Sequence, residues 1–283
     1  MKRLVFFMGI VLLSMSVFPA TAQPERGRRA RNPVAVERLE AETAAAVSLN
    51  PATGTTRFVR FPKGFAVQPR ARSRATAAGQ DRHQRSLALL REYAGAFGLR
   101  EDPASSLRLE SETGDDLGGR HLTYAQTYRN LPVFGGRVRT HFDADGNISA
   151  VSGTLVPDIA VDPKPSLSRD AISGAALAAV SDLGRSDLAV RGMRLLVFRT
   201  GLIQGVEGQN HLAWEVEIGN GNDVRELLYV NAHSSKLLDR IRGIQDALNR
   251  RAYNTTANFP NTPFWVEGDA FPTADPEANN VIQ

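Results

Sequence analysis

No cysteine occurs in this chain of 283 residues. That absence excludes disulfides, thiolate zinc sites, iron–sulfur clusters, thioether-linked haem and cysteine nucleophiles. Aromatic residues are scarce at 7%, too few for the broad stacking surfaces that hold single-stranded nucleic acid. The 5 histidines cap what an imidazole-based metal or acid–base site can use. Lysine is rarer still: apart from Lys2, Lys63, Lys164 and Lys236, all 34 basic residues are arginine. The net charge is only +4, and the basic runs (Arg26, Arg28, Arg29 and Arg31; Arg70, Arg72 and Arg74) carry neither interleaved aromatics nor a helical face. They read as solvated arms, and no nucleic-acid partner is expected.

What is present suits a folded protein. Apolar residues make up 42% and charged residues 23%, enough for a sizeable core and against wholesale disorder. The length allows one large domain or two ordinary ones. Lys2 and Arg3 precede an apolar stretch from Leu4 to about Val17, and Ala20-Thr21-Ala22 gives a small-x-small cleavage pattern before Gln23. This is the pattern of an export signal over 1–22, shorter than the ~20 apolar residues of a spanning helix. The expectation is a secreted or extracellular protein, free of the membrane once the signal is removed.

Residues 23–79 are rich in Arg, Ala, Pro, Thr and Gly and read as an extended N-terminal arm without a core of its own. Asn50-Pro51-Ala52-Thr53-Gly54 is a turn signal, and Arg57–Phe61 a strand able to add to a neighbouring sheet. Leu87, Leu90, Ala94 and Phe97 then recur at helical spacing, with Gly98 as a stop. From His121 to Tyr128 the chain alternates, placing Leu122, Tyr124, Gln126 and Tyr128 on one face. Leu131–Gly136 interrupts the pattern with a proline and paired glycines. Val138, Thr140 and Phe142 resume it, and Asp143–Asn147 forms a hairpin turn before a return over Ile148–Leu155.

Pro157, Pro163 and Pro165 mark a linker over 157–167. Ser168 then offers an N-cap, Asp170 sits in the first turn, and Ile172, Ala175, Ala176 and Ala179 make a narrow apolar stripe. Strands are expected over 194–198, 211–218, 224–230 and 237–241, the second with Leu212, Trp214, Val216 and Ile218 inward and Glu215 and Glu217 outward. The expected fold class is therefore α+β, with two consecutive units, 80–156 and 168–243, each packing a helix on an antiparallel sheet. Residues 244–283 carry Phe259, Phe264, Trp265, Val266 and Phe271 among prolines, and read as an incomplete β-rich tail.

No constellation stands out as catalytic. There is no HExxH and no histidine pair at chelating spacing. His211 and Glu215 share a strand face, but four residues of strand span roughly 13 Å. Asp143, Asp145 and Asn147 with Gly146 resemble part of a calcium loop but lack the further ligands and the distal glutamate of one, so a hairpin turn is the better reading. Gly201, Gly205 and Gly208 have no Lys-Ser/Thr after them, and no GxSxG elbow occurs. His83 on the polar side of a helix, His121, His141 and His211 in strands and His233 in a turn all read as structural histidines.

The run Gln126-Thr127-Tyr128-Arg129-Asn130-Leu131-Pro132-Val133-Phe134-Gly135-Gly136, with Asp145-Gly146 and Gly153 downstream, resembles the fungalysin/thermolysin propeptide domain. Leu212-Ala213-Trp214-Glu215-Val216 and Tyr229–Lys236 are similar to the PepSY domain that follows it in such precursors, with Asn231 and Ser234 in place of the more usual aspartate and threonine. The segment Asn249–Asn254, with Glu267-Gly268 and Asn279-Asn280, is similar to the entry into a thermolysin-like catalytic domain. The zinc ligands and general-base glutamate of that family have no counterpart here, so no catalytic or metal-binding residue is carried over.

The resemblance implies a zymogen pro-region that is itself no enzyme. It would act as intramolecular chaperone and inhibitor of a zinc metalloendopeptidase domain, its partner in cis. Zinc and calcium are implied only for that catalytic domain. The family-motif residues are Gln126, Tyr128, Pro132, Val133, Phe134, Gly135, Gly136, Asp145, Gly146, Gly153 and Trp214, and Arg240, Arg242, Arg250 and Arg251 mark a candidate processing region within 240–251. The alternative is a free-standing secreted protease-binding or inhibitor module.

Overall fold

The computed structural model describes residues 30–65, 82–100, 102–243, 251–252 and 265–266. The expected signal over 1–22 and most of the tail over 244–283 lie outside the described residues. The chain is α+β, with helices α1 (Pro33–Thr43), α2 (Arg82–Glu92), α3 (Pro103–Ser106) and α4 (Arg169–Ala178). Strands β1 (Ala46–Leu49), β2 (Thr56–Arg60), β3 (Leu107–Gly114), β4 (Arg120–Tyr128), β5 (Leu131–Phe142) and β6 (Ile148–Thr154) precede α4. After it come β7 (Ala189–Arg199), β8 (Asn210–Gly219), β9 (Arg225–Asn231) and β10 (Leu237–Arg242). Arg251–Ala252 pairs antiparallel with Trp265–Val266, apart from the main sheet.

These ten strands form one open sheet in the order β1-β2-β6-β5-β7-β8-β9-β10, with β4 on β5 and β3 on β4. Every pairing is antiparallel except one: β5 meets β7 in parallel, through Val133 opposite Val197. The two expected units are thus halves of a single sheet joined at that contact.

The N-terminal arm is more structured than its composition suggests. Asn32 caps α1 by accepting from the Ala35 amide at 3.1 Å, and Pro33 fills the first turn, where no N–H is needed. Val36, Leu39 and Thr43 then fall on one buried stripe, and β1–β2 adds to β6 as a hairpin. An extended arm is therefore not what 33–61 forms. Leu39 and Val59 are fully buried beside Leu89, Leu90, Tyr124 and Phe142 in the first core. Each such side chain stabilises the fold by roughly 1.5–3 kcal/mol.

Helix α2 covers the same core with Leu87, Leu89 and Leu90, and the turn after it adds Tyr93, Ala96 and Phe97. Gly98 ends this stretch at φ +74, where a Cβ would also press on Thr55 and Pro157. His83 differs from its expected place on the polar side. It is half-buried and its Nδ1 lies 3.1 Å from the hydroxyl of fully buried Tyr124. Strand β3 was not anticipated, because only Leu107 of it is buried and its polar sequence shows no inward face.

In the second half, Ser168 caps α4 as expected, accepting from the Ala171 amide at 3.2 Å. Ile172 and Ala176 pack with Leu212, Trp214, Val216 and Ile218 from β8. The opposite face of this half carries the Arg194–Glu215 and Arg225–Glu217 ion pairs, but beside the joint it too is apolar. Leu196, Phe198, Ala213 and Tyr229 form a separate buried cluster there, with Phe134, Leu238 and Ile241 against it.

Candidate functional site

The motif residues converge on the joint between the two half-sheets. Arg129 and Asn130 turn from β4 into β5 with φ of 48° and 66°, the left-handed pair of a tight hairpin. Tyr128 then pairs with Leu131 and Thr127 with Pro132. Unbroken, this register would put Val138 opposite His121. Instead Val133–Gly136 stands opposite Gln126 alone, and pairing resumes at Ala125 with Arg137. Leu131–Gly136 is therefore no break in the strand but a long bulge within it, and Pro132 lies on its exposed margin. The register shift is odd, so it sets which residues of β5 face inward: Val138, Thr140 and Phe142 join Leu122 and Tyr124 in the buried set.

The bulge throws Phe134 across the joint. Its ring meets Tyr229 at 4.9 Å edge to face and Phe198 at 5.2 Å, while Phe198 and Tyr229 stack at 4.3 Å. Val133 beside it is buried with Val156 and Val197. Gln126 occupies the space the bulge opens. Its Nε2 donates to the Val156 carbonyl at 2.9 Å and its Oε1 accepts from the Val156 amide at 2.8 Å, replacing a strand neighbour at the start of the linker. A Cβ on Gly136 would collide with that Gln126 carboxamide, and one on Gly135 (φ +66) with Leu202. Tyr128 donates its hydroxyl to the Val161 carbonyl at 3.2 Å, binding the linker a second time.

The other motif residues serve the same hairpin or the other core. Asp145 and Gly146 (φ +81) lie in the β5–β6 turn, closed by the Asp143 carboxylate accepting from the Asn147 amide at 2.7 Å. Gly153 has φ +125, and a Cβ there would overlap the Arg137 carbonyl. Trp214 is buried against α4, with the Arg169 guanidinium 5.1 Å over its ring.

Polar contacts reinforce the joint. Buried Arg199 of β7 donates from Nε and Nη2 to the Ala52 carbonyl in the β1–β2 turn, at 3.3 and 3.2 Å. Asn210 of β8 donates to the Pro157 and Asp158 carbonyls at 2.9 and 3.1 Å. Asp158 in turn pairs with Arg31 and Arg100 from the first half. Around the aromatic cluster, the Tyr229 hydroxyl donates to Glu215 at 2.9 Å. Burial, then the Glu215 charge, holds that phenol above its ordinary range, and the Glu215 carboxylate raises Arg194 likewise.

Two of the candidate processing residues belong to a paired strand. Arg240 and Arg242 lie in β10 opposite Leu228 and Glu226. Arg240 donates to the buried Glu226 at 2.9 Å and to Asp182 at 2.8 Å, so it is a structural cation and not part of a loose charged linker. Arg251 falls in the short tail pairing and Arg250 outside the described residues. Among the described residues, no group of three or more His, Asp or Glu side chains is arranged to hold a metal ion, and no helix is long and apolar enough to cross a membrane.

Sequence reasoning missed one cluster. The bulge brings His121 opposite His141, with ring nitrogens 3.0 Å apart, between Asp115 and Ser152. The available signal was the paired glycine at 135–136, which permits a bulge, but no pattern in the sequence gives its length.

The hairpin whose bulge reaches the core of the second half-sheet lies within a recognised sequence motif. Residues 105–155, spanning β3 to β6, match the Fungalysin/Thermolysin Propeptide Motif. Bacillolysin from Brevibacillus brevis is 21% identical over 159 residues, 53% of this chain and 29% of that protein. Thermolysin from Alicyclobacillus acidocaldarius is 33% identical over 70 residues, 25% of this chain and 13% of that protein. The chain spans less than a third of the length of these curated relatives. A solved structure, the Bacillus megaterium YpeB C-terminal domain, aligns over 78% of this chain and all of its own at 13% identity with a TM-score of 0.30. The chain thus carries the fungalysin/thermolysin propeptide motif and is distantly similar to bacillolysin and thermolysin.

Proposed function

We propose that the chain is the exported pro-region of a thermolysin-like zinc metalloendopeptidase, assisting the folding of the catalytic domain and blocking its cleft until cleavage. The observation that carries this reading is the propeptide motif over 105–155, with its Pro132–Gly136 segment built into the joint of the two half-sheets. In this reading 80–156 is the propeptide-motif unit and 168–243 a PepSY-like unit, with a signal over 1–22 directing secretion. The partner is the catalytic domain in cis, and zinc and calcium belong to that domain.

Mass action supports the role. Tethering gives an effective concentration on the order of millimolar, so a micromolar contact keeps a cleft occupied almost fully, and dilution after cleavage releases it. Processing falls beyond β10, at Arg250 or Arg251, because cutting at Arg240 would require unzipping a strand that holds Glu226.

The test is to refold a denatured thermolysin-like catalytic domain with and without the purified chain, and to titrate the chain against the folded peptidase. A several-fold higher yield of active peptidase together with saturable inhibition is expected. Inhibition without any gain in refolding would favour a free-standing inhibitor, and the absence of both effects would overturn the reading.

A further inference from the structure

On the face of the first half-sheet opposite its core, four side chains form one line. Asp115 Oδ2 lies 3.0 Å from His121 Nε2, His121 Nδ1 lies 3.0 Å from His141 Nδ1, and His141 Nε2 lies 2.8 Å from Ser152 Oγ. The two rings meet edge to face at 4.9 Å. Together with Phe58 they edge an open cavity of about 460 Å³.

Proton counting fixes the direction of the line. The Asp115 carboxylate only accepts, so His121 carries its proton on Nε2 and offers a lone pair at Nδ1. His141 must then donate from Nδ1, and its Nε2 accepts from the Ser152 hydroxyl. Every group is satisfied, with one proton between the rings. One added proton leaves an N–H on both outer nitrogens, His121 Nε2 and His141 Nε2, and Ser152 turns from donor to acceptor without breaking the line. A second has only His121 Nδ1 left, where two N–H groups would face each other across the contact.

We propose that the His121–His141 contact is an acid switch: it holds while the pair carries at most one extra proton and opens, loosening the outer face of β4, β5 and β6, when the pair takes a second. The charged surroundings act unequally on the two rings. Asp115 sits at the His121 end, and the Asp143 carboxylate edges the cavity but is engaged by Asn147. Arg139 lies on the same face of β5, donating to Thr123 at 2.9 Å. Arg60 of β2 shares that face through its pairing with Ala150, which in turn faces His141. From β3 only the uncharged Thr113 stands beside His121.

Burial, the neighbouring His121 and the Arg139 cation hold His141 below the usual imidazole range. The unfolded chain therefore binds protons more readily than the folded one. The stabilisation is complete above about pH 6.5 and is lost as the pH falls through that value toward the folded one. The inference does not rest on the reading of the chain as a pro-region.

The test is urea unfolding of the full chain between pH 8 and pH 5, with imidazole resonances followed by NMR over the same range. The unfolding constant is expected to rise below about pH 6.5, by up to tenfold per pH unit for each proton the fold excludes. The two rings should titrate as a coupled pair in two separated steps. In His141→Gln the pH slope should shrink. Ser152→Ala, which keeps both rings but removes the hydroxyl that accepts from the first added proton, should lower the first step. Independent single-step titration of the two rings, or the same pH slope in wild type and both variants, would overturn the proposal.

Discussion

The two half-sheets solve the same burial problem differently. The first carries its buried apolar side chains on one face, under α1 and α2, and leaves the other face to His121, His141, Arg139, Ser152 and the exposed Phe58. The second buries apolar side chains on both faces: α4 covers one, while on the other Phe134 from the first half, with Leu238 and Ile241 of β10, closes an apolar patch beside the Arg194–Glu215 pair. That second apolar patch needs a cover, and the first half supplies it through the bulge in β5. The two units are therefore unequal. The first has its own closed core, whereas part of the second core is donated from outside.

That inequality can be broken most severely in the first unit. Gly153 sits at φ +125 against the Arg137 carbonyl, so Gly153→Val forces β6 away from β5. The cost should exceed about 4 kcal/mol, enough to abolish the cooperative unfolding of the first half as seen by circular dichroism and proteolysis. Arg240→Met tests the second unit alone. It strips the buried Glu226 of its 2.9 Å partner, with Arg242 left at 3.8 Å, and should cost about 3 kcal/mol at neutral pH. The loss should be smaller in Glu226→Gln,Arg240→Met, which removes the stranded charge.

Phe134→Ala addresses the joint itself. Removing a ring that touches Phe198 and Tyr229 should cost about 2–3 kcal/mol. The sharper readout is cooperativity: wild type should unfold in one transition, and the variant should show two, with the second half melting first. A single transition that merely shifts would mean the halves are coupled mainly through Arg199 and Asn210.

Much of this arrangement was legible in the sequence, and the reasons for the rest are physical. The alternation of β4 and β8, the Ser168 cap and the Asp143–Asn147 turn are local signals, and each appears where the pattern put it. Helix α1 was hidden because only Val36, Leu39 and Thr43 mark its buried stripe within an arginine- and alanine-rich stretch. The second apolar face of β7–β9 left a trace in the unbroken run Leu195–Phe198, which fits a strand buried on both sides. The bulge length left none. Its residues look like a turn, and only the register of a folded hairpin shows that they carry Phe134 outward and His121 onto His141.

The smallest effects compare like with like. Each half-sheet buries one tyrosine almost completely: Tyr124 with its hydroxyl 3.1 Å from His83, and Tyr229 with its hydroxyl donating to Glu215 at 2.9 Å. Tyr124→Phe removes a bond to an imidazole and should cost about 1 kcal/mol, whereas Tyr229→Phe removes one to a carboxylate and should cost about 1.5 kcal/mol. Their pH behaviour separates them further. Burial and Glu215 raise the Tyr229 phenol, so the unfolded chain loses that proton first as the pH rises. Stability tied to Tyr229 is thus complete below about pH 10 and declines above it. Tyr229→Phe should remove this alkaline loss from urea-unfolding midpoints, and an unchanged alkaline slope would show that the second core does not depend on the buried Tyr229–Glu215 bond.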